Sequence, residues 1–190
     1  MARIRRTPEA AREHIISSAK KLLIEEGPRA LKLQRVGKAA GMSHASVIHY
    51  FGSIEGLTLA VVTDNHRARR EALRAQLGQA TSKVERNQRI QEALAALSDR
   101  DQGRLTLSLL SLGFDPFPPA EEVGLGSIAE LLSETTGIPL KDAQQMVLAN
   151  VLVMLGEAMV GEHMRARLGV EDSKAERDKF RRWFMERMAP

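Results

Sequence analysis

The chain is predicted to be all-α, with an N-terminal three-helix, helix-turn-helix unit and basic arm over residues 1–53 joined to a larger helical domain over residues 54–190. Three observations predict this. Apolar residues recur at three- and four-residue spacing along most of the chain, and no stretch alternates apolar and polar residues as a half-buried strand would. Residues 33–57, LQRVGKAAGMSHASVIHYFGSIEGL, read as two short helices broken by a glycine turn and followed by a third, an arrangement that presents one helix to a DNA groove. Charge is uneven: residues 1–50 hold ten Lys and Arg against four Glu, while the remaining 140 residues carry a net charge of −2, so the positive field belongs to the proposed reader.

The elements follow in order. Thr7 caps the first helix and Pro8 takes its first position, where a missing N–H costs nothing. Ile15, Ile16, Ala19, Leu22 and Leu23 form its apolar face, and Gly27-Pro28 ends it. Leu33, Val36 and Ala40 share one face of the second helix, Gly41 supplies the left-handed turn residue, and Ser43 offers an N-cap oxygen to the next helix. Val47 and Phe51, four apart, face inward on that recognition helix, leaving His44, Ser46 and His49 to point away. Ser53 caps a helix that carries Leu57, Ala60 and Val61 and runs to about residue 77, so its movement would move the reader. The second half of that helix, HRARREALRAQ, is charged enough to predict a segment solvated on most of its girth.

Ser82 opens a helix carrying Ile90, Leu94 and Leu97, and a shorter one carries Leu105, Leu109 and Leu112. Residues 114–119, FDPFPP, form a loop, because proline restricts both itself and its predecessor. Ile128, Leu131 and Leu132 mark a helix ended by Gly137, and Pro139 opens the longest helix, which reaches about Leu168. Its middle is apolar nearly all round and needs cover on two sides, one from its own core and one from a second subunit. Ala149 and Gly156 would let a partner helix approach closely, and a final helix near residues 172–188 gathers Phe180, Trp183 and Phe184 on one side. The competing reading has both helices closing an intramolecular core.

Ala40, Gly41, Ser43, Tyr50, Phe51 and Ser53 stand at the spacing A-G-x-S…Y-F-x-S, with Gly27 closing the preceding helix. Over roughly residues 8–62 the chain thereby resembles the N-terminal domain of TetR-family transcriptional repressors. The resemblance implies an all-helical homodimer that binds a palindromic operator and releases it when a small molecule fills a pocket in the C-terminal domain. It also implies that the last two helices pair with their mates, which assigns Ala149, Gly156, Phe180, Trp183 and Phe184 to a four-helix interface. The chain departs from the family pattern at several positions. Lys32 stands where Thr or Ser usually caps the second helix, which gives up a cap worth about 1 kcal/mol for a phosphate-seeking cation. Ile48 and Ile54 replace a common Tyr and Lys, and Gly37 sits inside a helix at a cost of about 1 kcal/mol that no local sequence feature explains.

From these observations Arg3, Arg5 and Arg6 are expected to form an arm along the DNA backbone or minor groove, against the alternative of a solvated tail. Ser43, Tyr50 and Lys32 are expected to hold phosphates. His44, Ser46, His49 and Gln34 are the base-edge candidates, and Arg35 could serve either role. A single imidazole or hydroxyl makes no bidentate pair with guanine, so shape readout is expected to carry much of the specificity. For an effector, Leu105, Leu109, Leu112, Phe114, Phe117, Met146 and Met154 are the apolar lining candidates, with Asn150 and His163 as polar handles. No Lys or Arg lies within residues 105–119 or 142–164, which favours a largely apolar ligand, since buried anionic groups need paired cations. The opposing view has these side chains simply filling the core.

Other classes find little support. The chain has no Cys, which removes disulfide, zinc-thiolate and thiol-nucleophile chemistry, and no metal or cofactor is expected. The segment from Gly124 to Ala129 spells GxGxxA but follows a proline loop where that fingerprint needs a strand. Asp64 with His66 and Glu162 with His163 are adjacent or alternate on helices and point apart, so catalysis is not expected. Residues 1–14 lack an apolar signal core and the longest apolar run, residues 146–155, is about half a bilayer span, which predicts a cytoplasmic protein without a membrane anchor. A basic helical scaffold or peripheral membrane protein, using residues 66–74 and the aromatic last helix, is the alternative class.

Overall fold

The computed structural model describes residues 7–77, 99–117 and 125–188. These residues form eight α-helices and one short 3-10 turn, with no strand among them. The expected helix after Ser82, the arginines of the N-terminal arm and the prolines at 118 and 119 lie outside the described residues.

The chain forms two compact units. The first takes in residues up to Asn65 together with Leu105–Pro116. Helix α1 (Pro8–Glu26) starts where Thr7 Oγ1 accepts a hydrogen bond from Ala10 N at 3.2 Å, and it ends at Gly27 with φ +79°. After a 3-10 turn at Pro28–Ala30 come α2 (Leu33–Ala39), α3 (His44–Phe51) and α4 (Ile54–Leu77). Ile15, Ile16, Ala19 and Leu23 of α1 pack with Val36, Val47, Leu57 and Val61 into one core, the face that the spacing predicts. Leu105 and Leu109 of α5 (Arg100–Ser111) are buried in the same core, and Ser108 Oγ donates to the Leu23 carbonyl at 3.0 Å.

This division differs from a boundary at residue 53. Within residues 1–53 only α2, α3 and the 3-10 turn are available to pack on the apolar face of α1, and so small a unit buries too little of its surface. Leu57, Val61 and Val62 from α4, with Leu105 and Leu109, complete the cover.

The second unit takes in His66–Arg104 and Phe117–Pro190. Helix α6 (Leu125–Thr136) packs along α7 (Leu140–Leu168), burying Ile128, Ala129 and Leu132 against Ala143, Met146 and Val147. Residues 125–129 of the GxGxxA segment lie within α6, and no strand occurs among the described residues. Gly137 (φ +72°) ends α6, Gly169 (φ +71°) ends α7, and α8 (Lys174–Met188) brings Phe184 against this core. Gly103 of α5 meets α7 so closely that a Cβ there would lie 2.5 Å from Ala158 Cβ and 2.7 Å from the Met154 carbonyl oxygen.

Two features of this unit go beyond the sequence expectations. The charged stretch after residue 65 is exposed on most of its girth, as its composition predicts, but it has a buried side that the composition does not mark, where His66 and Arg69 are 1% and 5% exposed. They continue the buried stripe of Thr58, Val61, Val62 and Asn65 along α4, and helical period decides their side whatever their charge. Burial lowers the pKa of the Arg69 guanidinium, and Asp99 partly opposes that effect. Helix α7, as a whole, is also long and apolar enough to cross a bilayer by length and composition. Along its length, however, Asn150 is buried and Arg165 pairs with Glu157 in buried surroundings.

Candidate nucleic-acid interface

The reader is built from α2, a tight turn and α3. Lys32 holds the N-cap position of α2 without a side-chain hydrogen bond, as expected from its lack of an acceptor. Gly41 takes φ +63° in the turn, and Met42 N donates back to the Gly37 carbonyl at 2.8 Å. That closure explains Gly37: a Cβ there would stand 3.0 Å from the Met42 carbonyl oxygen and 3.4 Å from His44 N. Glycine lets the turn fold onto the last residues of α2.

At the start of α3, Ser43 Oγ accepts from Ser46 N at 3.0 Å and lies 2.8 Å from Ser46 Oγ. Ser43 is the expected cap, but the Ser46 hydroxyl is turned back toward it. Val47 is fully buried, while His44 and His49 are exposed, so the apolar and polar faces of α3 separate as the spacing predicts. Tyr50 is half-buried and packs against the core, its ring edge-on to His49 at 5.4 Å. Gln34 and Lys32 on α2 are exposed. Arg35 is also exposed, but its Nη2 is held by Glu26 Oε2 at 2.5 Å, a partner nine residues back that the helix pattern does not reveal.

The C-terminal end of α3 is fastened from two sides. Arg12 of α1 donates from Nη1 to the Tyr50 carbonyl at 3.1 Å and lies over the Phe51 ring at 4.6 Å. On the other side, a Cβ at Gly56 in the first turn of α4 would collide with the Phe51 carbonyl oxygen. Ser53 Oγ caps α4 by accepting from Gly56 N at 3.2 Å, and Lys20 Nζ ties α1 to Asp64 of α4 at 2.8 Å. Asp64 therefore serves an ion pair, and nothing in the spacing of Arg12 or Lys20 identifies its partner.

The effector candidates are divided between the units. Leu105 and Leu109 are buried in the first core, with Leu112 packed against it, and Phe114 N donates to the Leu109 carbonyl at 3.1 Å. Met146, Asn150 and Met154 share one buried face of α7 in the second unit, where Phe117 lies edge-on to the buried His66 ring at 6.3 Å. His163 is exposed. The spacing of leucines in α5 marks a buried face correctly but cannot say which core receives it.

Of the proposed interface residues, Gly156 is exposed with open space around it, Ala149 is half-buried, and Phe180 and Trp183 are exposed and stacked at 6.1 Å. Phe184 is half-buried against the second core. Leu148, Leu152, Val160, Met164 and Leu168 fall at four-residue steps with Gly156 in the middle, and every one of these leucine, valine and methionine side chains is exposed.

An ionic node in the second unit is not apparent from the sequence. Asp172, between α7 and α8, receives Arg100 Nη1 at 2.7 Å, Arg165 Nη1 at 3.1 Å and Arg177 Nη1 at 3.2 Å. Arg165 also grips Glu157 with both terminal nitrogens, at 2.7 and 2.6 Å. These two residues are eight apart, and Gly161 between them leaves the space in which the carboxylate lies. Burial pushes the Asp172 carboxyl up, but hydrogen bonds from Arg100 and Arg177 and their charges outweigh that and hold it below the usual carboxylate range. No cluster of His, Cys, Asp and Glu suited to a metal ion occurs among the described residues.

Residues 15–61 match the family model for bacterial regulatory proteins of the tetR family. Comparison with curated protein sequences gives no match. Among solved structures, the chain is similar to the fatty acid degradation regulator FadR from Bacillus halodurans, with a TM-score of 0.70 and 18% identity over 97% of this chain and 96% of that one. It is similar to a structure reporting the molecular basis for control of antibiotic production by a bacterial hormone, with a TM-score of 0.66 and 20% identity over 96% and 98% of the two chains. A third likeness is to the multidrug binding protein EbrR complexed with imidazole, with a TM-score of 0.59 and 17% identity over 97% and 92%. At these identities the likeness establishes a common all-α fold over nearly the whole chain.

Proposed function

From an N-terminal segment that carries the tetR-family regulatory domain and a chain that shares its fold with solved regulators, we propose a ligand-responsive transcriptional regulator, acting in the cytoplasm as a homodimeric repressor. The observation that carries this reading is the α3 surface: a Ser43-capped helix, anchored by fully buried Val47, that presents His44 and His49 to solvent on a helix-turn-helix. In this reading α3 enters the major groove of a palindromic operator. Lys32, Tyr50 and Ser43 meet phosphates, the arginines at 3, 5 and 6 follow the backbone, and His44, His49, Ser46 and Gln34 face base edges. Arg35 reaches DNA only by leaving Glu26.

The exposed strip of Leu148, Leu152, Val160, Met164 and Leu168, with Phe180 and Trp183, supports a symmetric α7–α8 interface. A monomer would otherwise leave these large apolar side chains in water. The buried face of Met146, Asn150 and Met154 supports a small, largely apolar effector oriented by one or two hydrogen bonds. Such an effector acts by binding better to the state whose two reader helices are wrongly spaced for DNA.

Binding-site selection followed by fluorescence anisotropy tests the proposal. A palindromic consensus bound by a dimer, and released by a small molecule that raises the thermal midpoint, is expected. Equal affinity for all duplexes overturns it. The exposed Phe180 and Trp183 of α8 favour one other class, a peripheral membrane protein, and sedimentation with anionic vesicles in preference to DNA would establish that class instead.

A further inference from the structure

The recognition helix has eight residues, and the carbonyls of its last turn must find partners outside the helix. Ile48 O accepts from Gly52 N at 2.7 Å and Phe51 O from Ser53 N at 2.8 Å, both local contacts of the turn. Tyr50 O is different. Its donor is Arg12 Nη1, 38 residues away on α1, at 3.1 Å. The same guanidinium covers the Phe51 ring at 4.6 Å, so one side chain engages two successive residues of α3 through two kinds of contact.

We propose that Arg12 is a positioning residue for DNA recognition: it fixes the C-terminal turn of α3 against α1 and thereby sets the angle at which His44 and His49 are presented, without itself holding a phosphate. The inference rests on the DNA-binding reading above. A cation at a helix C-terminus is favoured by the helix dipole, and the negative ends of few turns are so short of intrinsic support as that of a two-turn helix. The contact is specific to arginine, because a planar guanidinium can donate in its plane while stacking on a ring with its face. A lysine ammonium supplies the charge alone. The pair is exposed, so it adds little to global stability, and its consequence falls on the orientation of a short lever.

The test compares the full chain with Arg12→Gln and Arg12→Lys, on a selected duplex and a nonspecific one, across a salt series. Both variants are expected to bind the selected duplex on the order of tenfold more weakly, with the thermal midpoint nearly unchanged. The slope of log affinity against log salt should stay at the wild-type value for Arg12→Gln, whereas loss of a phosphate contact lowers it by about one. Hydrogen exchange in the free protein gives a readout without DNA, and amides near residues 50–54 should exchange faster in both variants. A slope reduced by about one in Arg12→Gln, with full rescue by Arg12→Lys, would make Arg12 a phosphate contact and overturn the proposal. Unchanged affinity and exchange would also overturn it. A wild-type chain that binds no duplex would instead defeat the DNA-binding reading, which the exchange data do not depend on.

Discussion

Gly103→Ala adds one methyl group at the closest helix contact of the second unit. Its Cβ would lie 2.5 Å from Ala158 Cβ and 2.7 Å from the Met154 carbonyl oxygen, where carbon contacts prefer about 3.5–4.0 Å. Neither neighbour is the flexible end of a long side chain, so α5 and α7 must separate by about 1 Å. A gap of that size forfeits roughly a quarter to a half of the dispersion energy of the atoms lining it. Overpacking of this kind costs about 1–3 kcal/mol, against which alanine returns up to about 1 kcal/mol of helix propensity. Contacts this short, with a Cβ and a backbone oxygen, put the cost toward the upper end of that range, so the net expectation is a loss of about 1–2 kcal/mol.

For a chain of this length that corresponds to a thermal midpoint lowered by roughly 2–8 °C. The displacement also reaches Arg100, three residues earlier, whose Nη1 holds Asp172 at 2.7 Å and whose Nη2 holds Glu162 at 2.6 Å. Gly103→Ala and Asp172→Asn should therefore couple: their combined loss in urea unfolding is expected to be smaller than the sum of the single losses. A Gly103→Ala protein at least as stable as wild type would refute the close α5–α7 approach.

Further outcomes follow from the reader, the apolar strip and the ionic node. His49→Ala should change preference at particular base pairs, whereas Tyr50→Phe should weaken selected and nonspecific duplexes alike, and equal losses on every sequence for both would remove His49 as a reader. Gly156→Glu places a charge in the middle of the exposed strip, and sedimentation at micromolar concentration should then give a monomer; an intact dimer would count against that face. Asp172→Asn should cost about 1–2 kcal/mol at pH 7, between exposed and buried ion-pair values. Because the folded Asp172 carboxyl titrates below its ordinary range, the unfolded chain binds more protons in the intervening interval. Its contribution is therefore complete above about pH 5 and is lost as pH falls below about 4. Urea titrations at pH 7 and pH 3 should show the wild-type advantage shrinking with acid, and a constant difference would exclude the node as its source.

Helical period and turn chemistry alone determined most of the N-terminal unit: Thr7, Ser43 and the positive-φ glycines at 27 and 41 act where their local chemistry predicts, and α1 buries the face its apolar spacing marks. These features were legible because a cap or a helical face depends on residues within about four positions. Other features depended on pairings between residues distant in sequence. Leu105 and Leu109 read correctly as a buried face, but only packing assigns them to the first core, since an apolar face does not encode which apolar surface it meets. The charged segment after residue 65 is solvated on most of its girth as its composition predicts, but only its place on α4 decides that His66 and Arg69 take the buried side. Gly37 looks costly until the turn folds back onto it, and Arg12, Arg35 and Asp172 acquire partners 38, nine and up to 72 residues away. Local sequence fixes where a helix begins, ends and turns its apolar side; tertiary structure decides which charge meets which and which helix holds the reader in place, because those contacts form only when separate segments pack together.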